Sequence, residues 1–315
     1  MNLKNKRILV LGNRGFFGSN LIKKLKQDKY NYFFLKKNCD LLDFKKSYLE
    51  IKKINPQIII NCAGKVGGLH YNIHKQSEIF YNNIKILLNV LEISSLLKVK
   101  RLVNIGSSCS YPVTIKKKLK ENMLFTGKLH KTVEAYGFWK LASILGSRAY
   151  KREKNLKSQN IIFPSLYGPS DKFDKINSHV VSALVCKFHE AKLKNKKKVI
   201  LWGDGAPIRE FMFIEDAVEG LLNIIKIYDS IDPLNLGSGK GYSIKKIADL
   251  ISAGFEYKGK IYWNKKKPNG SKSKVLDIGK QKKISNWKPK FTLDKGIKLT
   301  INWYKNQYIK IKSPI

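Results

Sequence analysis

The fold is decided by the stretch Ile8-Leu9-Val10-Leu11-Gly12-Asn13-Arg14-Gly15-Phe16-Phe17-Gly18. Its first four residues are an apolar run that predicts a buried strand, and apolar residues at helical spacing over 20–26 predict a helix after it. The glycines between them have the spacing G-x-x-G-x-x-G, which allows a tight turn and lets a helix N-terminus present its free N–H groups to a pyrophosphate. The stretch therefore indicates a dinucleotide-binding turn, unless the glycines serve packing alone.

The alternation of strand and helix continues through the first half of the chain. The pattern predicts strands at 32–35, 58–60 and 102–105 and helices at 45–53 and 79–97. Because these strands are apolar on both faces, they predict a parallel sheet covered by helices on both sides. Beyond about residue 165 the alternation loosens, and predicted helices at 179–192, 243–254 and 293–306 indicate a smaller lobe.

The composition indicates a globular protein with an unusual charge. The chain has 315 residues, of which 43% are hydrophobic, and a formal net charge of +39. Clustered lysines would indicate nucleic-acid binding, but here they are spread from Lys4 to Lys312. We therefore interpret the charge as a bias of composition and expect no nucleic-acid partner, although a diffuse positive field helps to recruit an anionic substrate.

The cysteines indicate neither a metal site nor a disulfide framework. Cys39, Cys62, Cys109 and Cys186 lie far apart and form no CxxC pair, so we expect no bound metal and a reducing, cytoplasmic location. No stretch of about 18 apolar residues occurs, and the N-terminus has no long apolar segment. We therefore expect neither export nor a membrane partner.

The second predicted strand indicates which dinucleotide is bound. An enzyme that uses NAD needs an acidic residue at this strand's end to hold the ribose 2′-hydroxyl, but Leu35 is followed by Lys36 and Lys37. Cations suit a 2′-phosphate, and Arg14 in the glycine turn could be a second clamp. The sequence thus favours NADP(H), with Asp40 available to the adenine.

A tyrosine and a lysine carry the strongest catalytic signal. Tyr136 and Lys140 are spaced as Y-x-x-x-K, which places both side chains on one face of a helix. A nearby ammonium should lower the pKa of the phenol and make it a usable proton donor to a carbonyl oxygen. Upstream, Ser107 follows the strand that ends at Ile105, where its hydroxyl could bind the same carbonyl.

Glycine turn, strand-end serine and Tyr-Lys helix, in this order, resemble the extended short-chain dehydrogenase/reductase family over nearly the whole chain. Four segments are similar to signatures of the GDP-L-fucose synthase family: 61–68 (NCAGKVGG), 106–112 (GSSCSYP), 177–180 (NSHV) and 202–211 (WGDGAPIREF). That family epimerises C3 and C5 of GDP-4-keto-6-deoxy-mannose and then reduces C4 with NADPH. The resemblance implies a Rossmann-type doubly wound parallel sheet, an α/β fold with a smaller C-terminal α/β substrate lobe.

The resemblance also implies roles for individual residues. Tyr136 would protonate the C4 oxygen, Lys140 would hold the cofactor ribose and Ser107 would orient the carbonyl, whereas Cys109 and His179 would be the epimerisation acid and base. The implied NADP(H) site consists of Gly12, Asn13, Arg14, Gly15, Phe16, Phe17, Gly18, Lys36, Asp40, Leu41, Ala63, Lys65, Ile105, Gly106, Ser107, Tyr136, Lys140, Pro164, Leu166 and His179. The implied substrate site consists of Ser108, Lys187, Trp202, Arg209 and Asn269.

Three departures from the family pattern leave the sugar open. Lys187 stands where an arginine is typical, Ser165 where an asparagine is usual, and Asn269 where an aspartate is typical. Lysine keeps the charge but cannot make the bidentate contact of arginine. The substrate expected from the sequence is therefore a GDP-linked keto-sugar, either the 6-deoxy-hexose or a related GDP-4-keto-heptose handled by a reductase without epimerase activity.

The resemblance further implies a division of the chain and a homodimer. Residues 1–165 would form the NADP-binding domain and residues 166–315 mainly the substrate-binding lobe, with some segments returning to the main domain. The helices at 79–97 and 136–150 would pair across a two-fold axis.

Two alternatives come from other classes of protein. The first is a nucleotide-sugar epimerase or dehydratase with tightly held NAD, against which the basic Lys36 and Lys37 argue. The second is a dinucleotide-sensing or nucleic-acid-binding protein.

Overall fold

A six-stranded parallel sheet forms the centre of the computed structural model, which describes residues 1–267 and 269–308. Its strands lie in the order β2-β1-β3-β4-β5-β9, and every neighbouring pair is parallel. The strands are β1 (Ile8–Leu11), β2 (Tyr32–Phe34), β3 (Ile58–Asn61), β4 (Arg101–Ser107), β5 (Ser158–Phe163) and β9 (Leu234–Asn235). The predicted doubly wound parallel sheet is confirmed.

Helices cover both faces of this sheet. The helices are α1 (Phe16–Gln27), α2 (Phe44–Ile54), α3 (Leu69–His74), α4 (Gln76–Leu96), α5 (Glu134–Lys154) and α7 (Ile214–Ile227). In β1, Ile8 and Val10 pack into the core with α1 and α7, whereas Leu9 and Leu11 pack into the core with α2, α4 and α5. Successive strand residues point to opposite faces, so β1 and β3, which are buried at every position, are apolar throughout except for Asn61.

A smaller set of strands and helices follows α5 and β5. One sheet joins β6 (Ser165–Tyr167), β8 (Ile208–Phe213), β10 (Gly241–Ser243) and β12 (Ser273–Lys274), and β7 (Lys198–Trp202) pairs with β11 (Lys260–Asn264). The helices here are α6 (Val180–Leu193), α8 (Ile244–Gly254), α9 (Gly279–Ile284) and α10 (Leu293–Trp303), the last followed by a π-helical turn at Tyr304–Tyr308. The apolar residues of α6, α8 and α10 pack against β7 and β8 in a separate core.

Two elements of the second half pack onto the large sheet. β9 pairs with β5, and α7, which the sequence pattern did not predict, packs against α1. Arg101 at the start of β4 donates a 2.5 Å hydrogen bond to Asp229 just after α7. The boundary between residues 165 and 166 stays a prediction.

The strand order reverses between β1 and β3, because the chain leaves β1 toward β2 on one side and β3 toward β4 on the other. In open parallel sheets this switch point opens a crevice at the carboxyl ends of the strands, where ligands bind. The glycine turn follows β1 at this edge, Ser107 ends β4, and Pro164 follows β5. The topology thus brings the three sequence signals to one edge of the sheet.

Candidate active site

The glycine turn has the geometry that a pyrophosphate needs. Gly12 has a φ of +76°, and a Cβ there would lie 2.6 Å from the backbone nitrogen of Ala63. Helix α1 starts after Gly15 without a side-chain cap and without an acidic residue in its first turn. Its free N–H groups and positive dipole end therefore face the crevice without a competing carboxylate.

The residues predicted to hold the remainder of NADP(H) lie beyond this turn. Arg14 and Lys36 are exposed, so both cations are free to approach a 2′-phosphate. Asp40 is also exposed, but one of its carboxylate oxygens accepts a 3.0 Å hydrogen bond from the backbone of Leu42. Lys65 instead forms a 3.4 Å ion pair with Glu78.

A cavity of about 730 Å³ opens beside the turn, between the large sheet and the smaller one. It is lined by the residues predicted for catalysis, namely Ser107, Cys109, Tyr136, Lys140 and His179. It is also lined by those predicted for the substrate, namely Ser108, Lys187, Trp202, Arg209 and Asn269. Of the predicted cofactor residues, its wall contains Gly15, Phe16, Phe17, Ile105, Gly106, Ser107, Tyr136, Lys140, Pro164, Leu166 and His179 and leaves out Gly12, Asn13, Arg14, Gly18, Lys36, Asp40, Leu41, Ala63 and Lys65.

Tyr136 is held close to Ser107 and Cys109 by the packing of α5. A Cβ on Gly137 would lie 2.5 Å from the carbonyl oxygen of Cys109, so glycine lets the helix approach this turn. Burial raises the pKa of the Tyr136 phenol, Cys109 raises it further, and the hydrogen bond with Ser107 lowers it. The expected lowering of this pKa by Lys140 was wrong, because the effect of burial is larger.

Lys140 is the buried cation of the site. Its Nζ donates a 2.6 Å hydrogen bond to the carbonyl oxygen of Ile105 and lies 3.5 Å from the ring centroid of Trp139. Burial lowers the pKa of Lys140 to about 7, against smaller opposing effects of Cys62 and Cys109. Burial thus disfavours the charged form of Lys140.

Cys109 lies in a positively charged corner. Its Sγ accepts a 3.4 Å hydrogen bond from Lys274 Nζ, and its backbone N–H donates to Ser107 Oγ at 3.2 Å. Burial acts to raise the pKa of the thiol, but Lys274, Ser107 and Arg209 together outweigh it and lower the pKa. The corner therefore favours the thiolate form.

His179 faces the cavity from the start of α6. Its Nδ1 lies 3.9 Å from a carboxylate oxygen of Asp171, which is buried and accepts a 2.5 Å hydrogen bond from Ser182 Oγ. Burial acts to lower the pKa of the imidazole, but Asp171 and then Cys109 raise it above its ordinary value. The buried carboxylate of Asp171 thus favours the protonated form of the imidazole.

The far end of the cavity suits a nucleotide. Trp202 is 37% exposed and offers a ring face, with Lys267 Nζ 5.5 Å from its ring centroid. Asn269 accepts a 3.0 Å hydrogen bond from the backbone N–H of Asp204, so this residue fixes the turn after Trp202. Burial and the neighbouring Lys175 lower the pKa of Lys187.

Sequence reasoning missed several residues of this site. Asp171, Lys175, Lys274 and His70 all lie in the cavity wall or contact a residue that does. Lys274 is one of 62 basic residues and stands in no motif, so the sequence offered no signal for it. His70 follows the predicted 61–68 signature, and its Nδ1 lies 3.3 Å from Asn177 Oδ1.

Within residues 1–267 and 269–308, no group of three His, Cys, Asp or Glu side chains could hold a metal ion. None of the described helices is long and apolar enough to cross a membrane.

The chain is similar to known proteins over nearly its whole length. The model of the NAD dependent epimerase/dehydratase family matches residues 8–237. GDP-L-fucose synthase 1 of Arabidopsis thaliana is 33% identical over 306 residues, which are 96% of this chain and 94% of the relative. Two solved structures from Campylobacter jejuni are also similar. A GDP-6-OMe-4-keto-L-xylo-heptose reductase has a TM-score of 0.91 at 27% identity, with 98% of this chain and 99% of that chain covered.

The second structure is a GDP-mannoheptose C4 reductase with NADP bound. It has a TM-score of 0.87 at 27% identity, with 97% of this chain and 100% of that chain covered. The relatives are matched over nearly their whole length, so the similarity extends through both sheets. The chain therefore belongs to the NAD dependent epimerase/dehydratase family and, within it, to the GDP-L-fucose synthase family.

Proposed function

We propose that the protein uses NADPH to reduce the C4 keto group of a GDP-linked 4-keto-6-deoxy-sugar and also epimerises C3 and C5. One observation carries the proposal: a single cavity contains the Tyr136 phenol, which is hydrogen-bonded to Ser107, together with the Cys109 thiol and the His179 imidazole. Names of relatives support the same substrate class, since they include a GDP-L-fucose synthase and two reductases of GDP-linked heptoses.

The cofactor proposal is supported by the residues that would hold it. The glycine turn and the uncapped N-terminus of α1 fit a pyrophosphate, and the exposed Arg14 and Lys36 fit the 2′-phosphate of NADP. When bound, NADPH supplies the hydride. Lys140 would hold the nicotinamide ribose, at the carboxyl end of β4.

The protein's own part in reduction is the placement of a proton donor. Tyr136 OH would give its proton to the C4 oxygen, and Ser107 Oγ would hold that oxygen in place. Burial raises the pKa of Tyr136, so the phenol stays protonated until charge develops on the substrate oxygen. The buried wall of Trp139 and Phe163 excludes water from this end.

Epimerisation needs one group to remove a proton and another to return one. The keto group at C4 acidifies the protons at C3 and C5, so a base of moderate strength suffices. A Cys109 thiolate would remove the proton and a His179 imidazolium would return one. The neighbouring charges support this division of roles. Lys274 favours a negative charge on Cys109, and Asp171 favours a positive charge on His179.

A reductase of a GDP-4-keto-heptose, without epimerase activity, is the second candidate. The similarity to the two Campylobacter heptose reductases favours it, as does Lys187 in place of the usual arginine. The two candidates differ in the sugar and in proton exchange at C3 and C5. A dinucleotide-sensing or nucleic-acid-binding role has no comparable support in the cavity.

A homodimer is part of the proposal. Phe80 and Leu88 on α4 and Phe138 and Leu145 on α5 are between 45% and 60% exposed, and the Phe80 and Phe138 rings stack at 5.9 Å. Spacings of seven and eight residues place each pair on one face of its helix. We propose that these faces meet their copies across a two-fold axis and that the protein acts in the cytoplasm.

The test supplies the full chain with NADPH and GDP-4-keto-6-deoxy-mannose in heavy water. Cofactor oxidation together with deuterium at C3 and C5 is the expected result. Turnover without deuterium would reject epimerisation. No turnover of this hexose, combined with turnover of a GDP-4-keto-heptose, would reject the proposed sugar and favour the second candidate.

A further inference from the structure

Lys274 lies in the cavity wall beside Cys109, at a position for which the sequence offered no signal. It lies on β12, in register with Arg209 of β8, and its half-buried ammonium points into the cavity. Among the described residues it makes no ion pair with a carboxylate. Its Nζ instead donates to Cys109 Sγ at 3.4 Å.

We propose that Lys274 is a positioning residue for epimerisation whose ammonium holds Cys109 in the thiolate form needed to remove the C3 or C5 proton. The proposal rests on the proposed function for its chemical consequence, but the state of the thiol can be measured without turnover. In the step, the C–H bond breaks, the S–H bond forms, and the electron pair moves onto the C4 oxygen. Lys274 keeps its own proton.

The charges around Cys109 decide whether Lys274 alone can stabilise the thiolate. The groups facing the sulfur from the surrounding elements are Lys274 on β12, Arg209 on β8, Tyr136 and Lys140 on α5, and His179 before α6. Lys274 contributes the largest charge effect on the pKa of the thiol, and it opposes burial. Arg209 acts in the same direction but with a smaller effect.

The position of Lys274 is fixed by its pairing with β8 and by buried contacts of the residues that follow β12. The neighbouring Leu276 donates its backbone N–H to the buried carboxylate of Glu210 at 2.8 Å. Glu210 also accepts from the backbone N–H groups of Ser238 and Gly239. An ammonium on so well-anchored a strand can hold a fixed distance to the sulfur, which a surface lysine on a free loop could not.

The experiment measures the pH dependence of Cys109 alkylation by iodoacetamide in the full chain, followed by peptide mass spectrometry. The probe is neutral and reacts with the thiolate, so the midpoint of its rate reports the ionisation of Cys109. Cys62 in the same cavity is an internal control, because burial raises the pKa of its thiol to about 12. The wild-type midpoint should lie below 9.0, the ordinary value for cysteine.

Lys274→Met should raise that midpoint by about 1 to 3 pH units, the usual effect of losing an opposite charge at this distance. Lys274→Arg should retain most of the lowering, because it keeps the charge. Lys272→Met, which removes an exposed lysine two residues earlier, should leave the midpoint unchanged. Circular dichroism and NADP⁺ binding establish that each variant is folded.

Two results would overturn the proposal. A wild-type midpoint at or above 9.0 would do so without any variant, even if Lys274→Met failed to fold. An unchanged midpoint in a folded Lys274→Met would assign the lysine to the substrate diphosphate instead, with a raised KM as its signature. Failure of the proposed function would look different. If the alkylation midpoint of Cys109 depends on Lys274 but no deuterium enters at C3 and C5, the effect of Lys274 on Cys109 stands and epimerisation is rejected.

Discussion

Replacement of Lys140 by methionine should make the cofactor-free protein more stable while it destroys activity. Lys140 is 8% exposed, and burial lowers its pKa from 10.5 to about 7. The unfolded chain binds this proton up to pH 10.5, whereas the folded protein releases it near pH 7. Folding therefore carries a penalty that is complete below pH 7 and disappears as the pH rises to 10.5.

The size of the effect follows from the same two values. Each pH unit between them corresponds to about 1.4 kcal/mol, so the penalty below pH 7 is at most about 5 kcal/mol. Methionine retains most of the apolar stem but loses the hydrogen bond to the carbonyl of Ile105, which costs about 1 kcal/mol. We expect Lys140→Met to exceed the wild type in free energy of unfolding by about 2 to 4 kcal/mol at pH 6.

Equilibrium unfolding in urea at pH 6, 8 and 9.5 checks this expectation. The advantage of the variant should shrink as the pH rises, because the wild type alone gains stability over this range. Lys154→Met, at an exposed position near the end of the same helix, is the matched control and should show little pH-dependent difference. A variant less stable than the wild type at pH 6, or an advantage independent of pH, would refute the reasoning.

Three further substitutions test other parts of the site. Tyr136→Phe removes the proton donor and should slow NADPH oxidation at least about 100-fold with NADP⁺ binding retained, so a loss below tenfold would contradict its role. Asp171→Asn should lower the pKa of His179 in an NMR titration of the imidazole, because the carboxylate raises that pKa; an unchanged value would argue against the pairing. Gly12→Ala adds a Cβ 2.6 Å from Ala63 N at a φ of +76°, so it should cost at least about 2 kcal/mol of stability and weaken NADP⁺ binding in calorimetry. Binding equal to that of the wild type would be inconsistent with a tight turn.

Local patterns along the chain were enough to predict four of the six strands of the large sheet and its phosphate turn, but not β5 or β9. Strands of a parallel sheet are buried on both faces, so strands such as β1 and β3 are short apolar runs that the sequence displays directly, whereas β5 begins with the buried polar residues Ser158, Gln159 and Asn160. The glycine turn is similarly local, because its tight geometry requires small residues at fixed spacing. The helix α7 was missed although its buried residues Ile214, Ala217, Val218, Leu221, Leu222 and Ile225 recur at helical spacing, so the signal was present in the sequence.

The catalytic pair Tyr136 and Lys140 was also readable, since four residues along a helix place two side chains on one face. The electrostatic interaction between these two residues could not be predicted from the sequence. The sequence predicted that Lys140 lowers the pKa of Tyr136, but that effect depends on how far each group is buried, and burial raises the pKa of the phenol instead. Burial is a property of the surrounding packing, so no spacing rule contains it.

The sequence by itself therefore determined the class of the fold, the dinucleotide turn and the Tyr136–Lys140 pair, because each depends on neighbours within a few positions along the chain, whereas Cys109 and His179 were indicated only by the family resemblance. The tertiary structure alone decided which charges face those residues. Lys274 and Cys109 are separated by 165 positions, yet their side chains lie 3.4 Å apart. Electrostatic interactions depend on distance in space and on burial, and both are set when the second sheet closes over the carboxyl edge of the first.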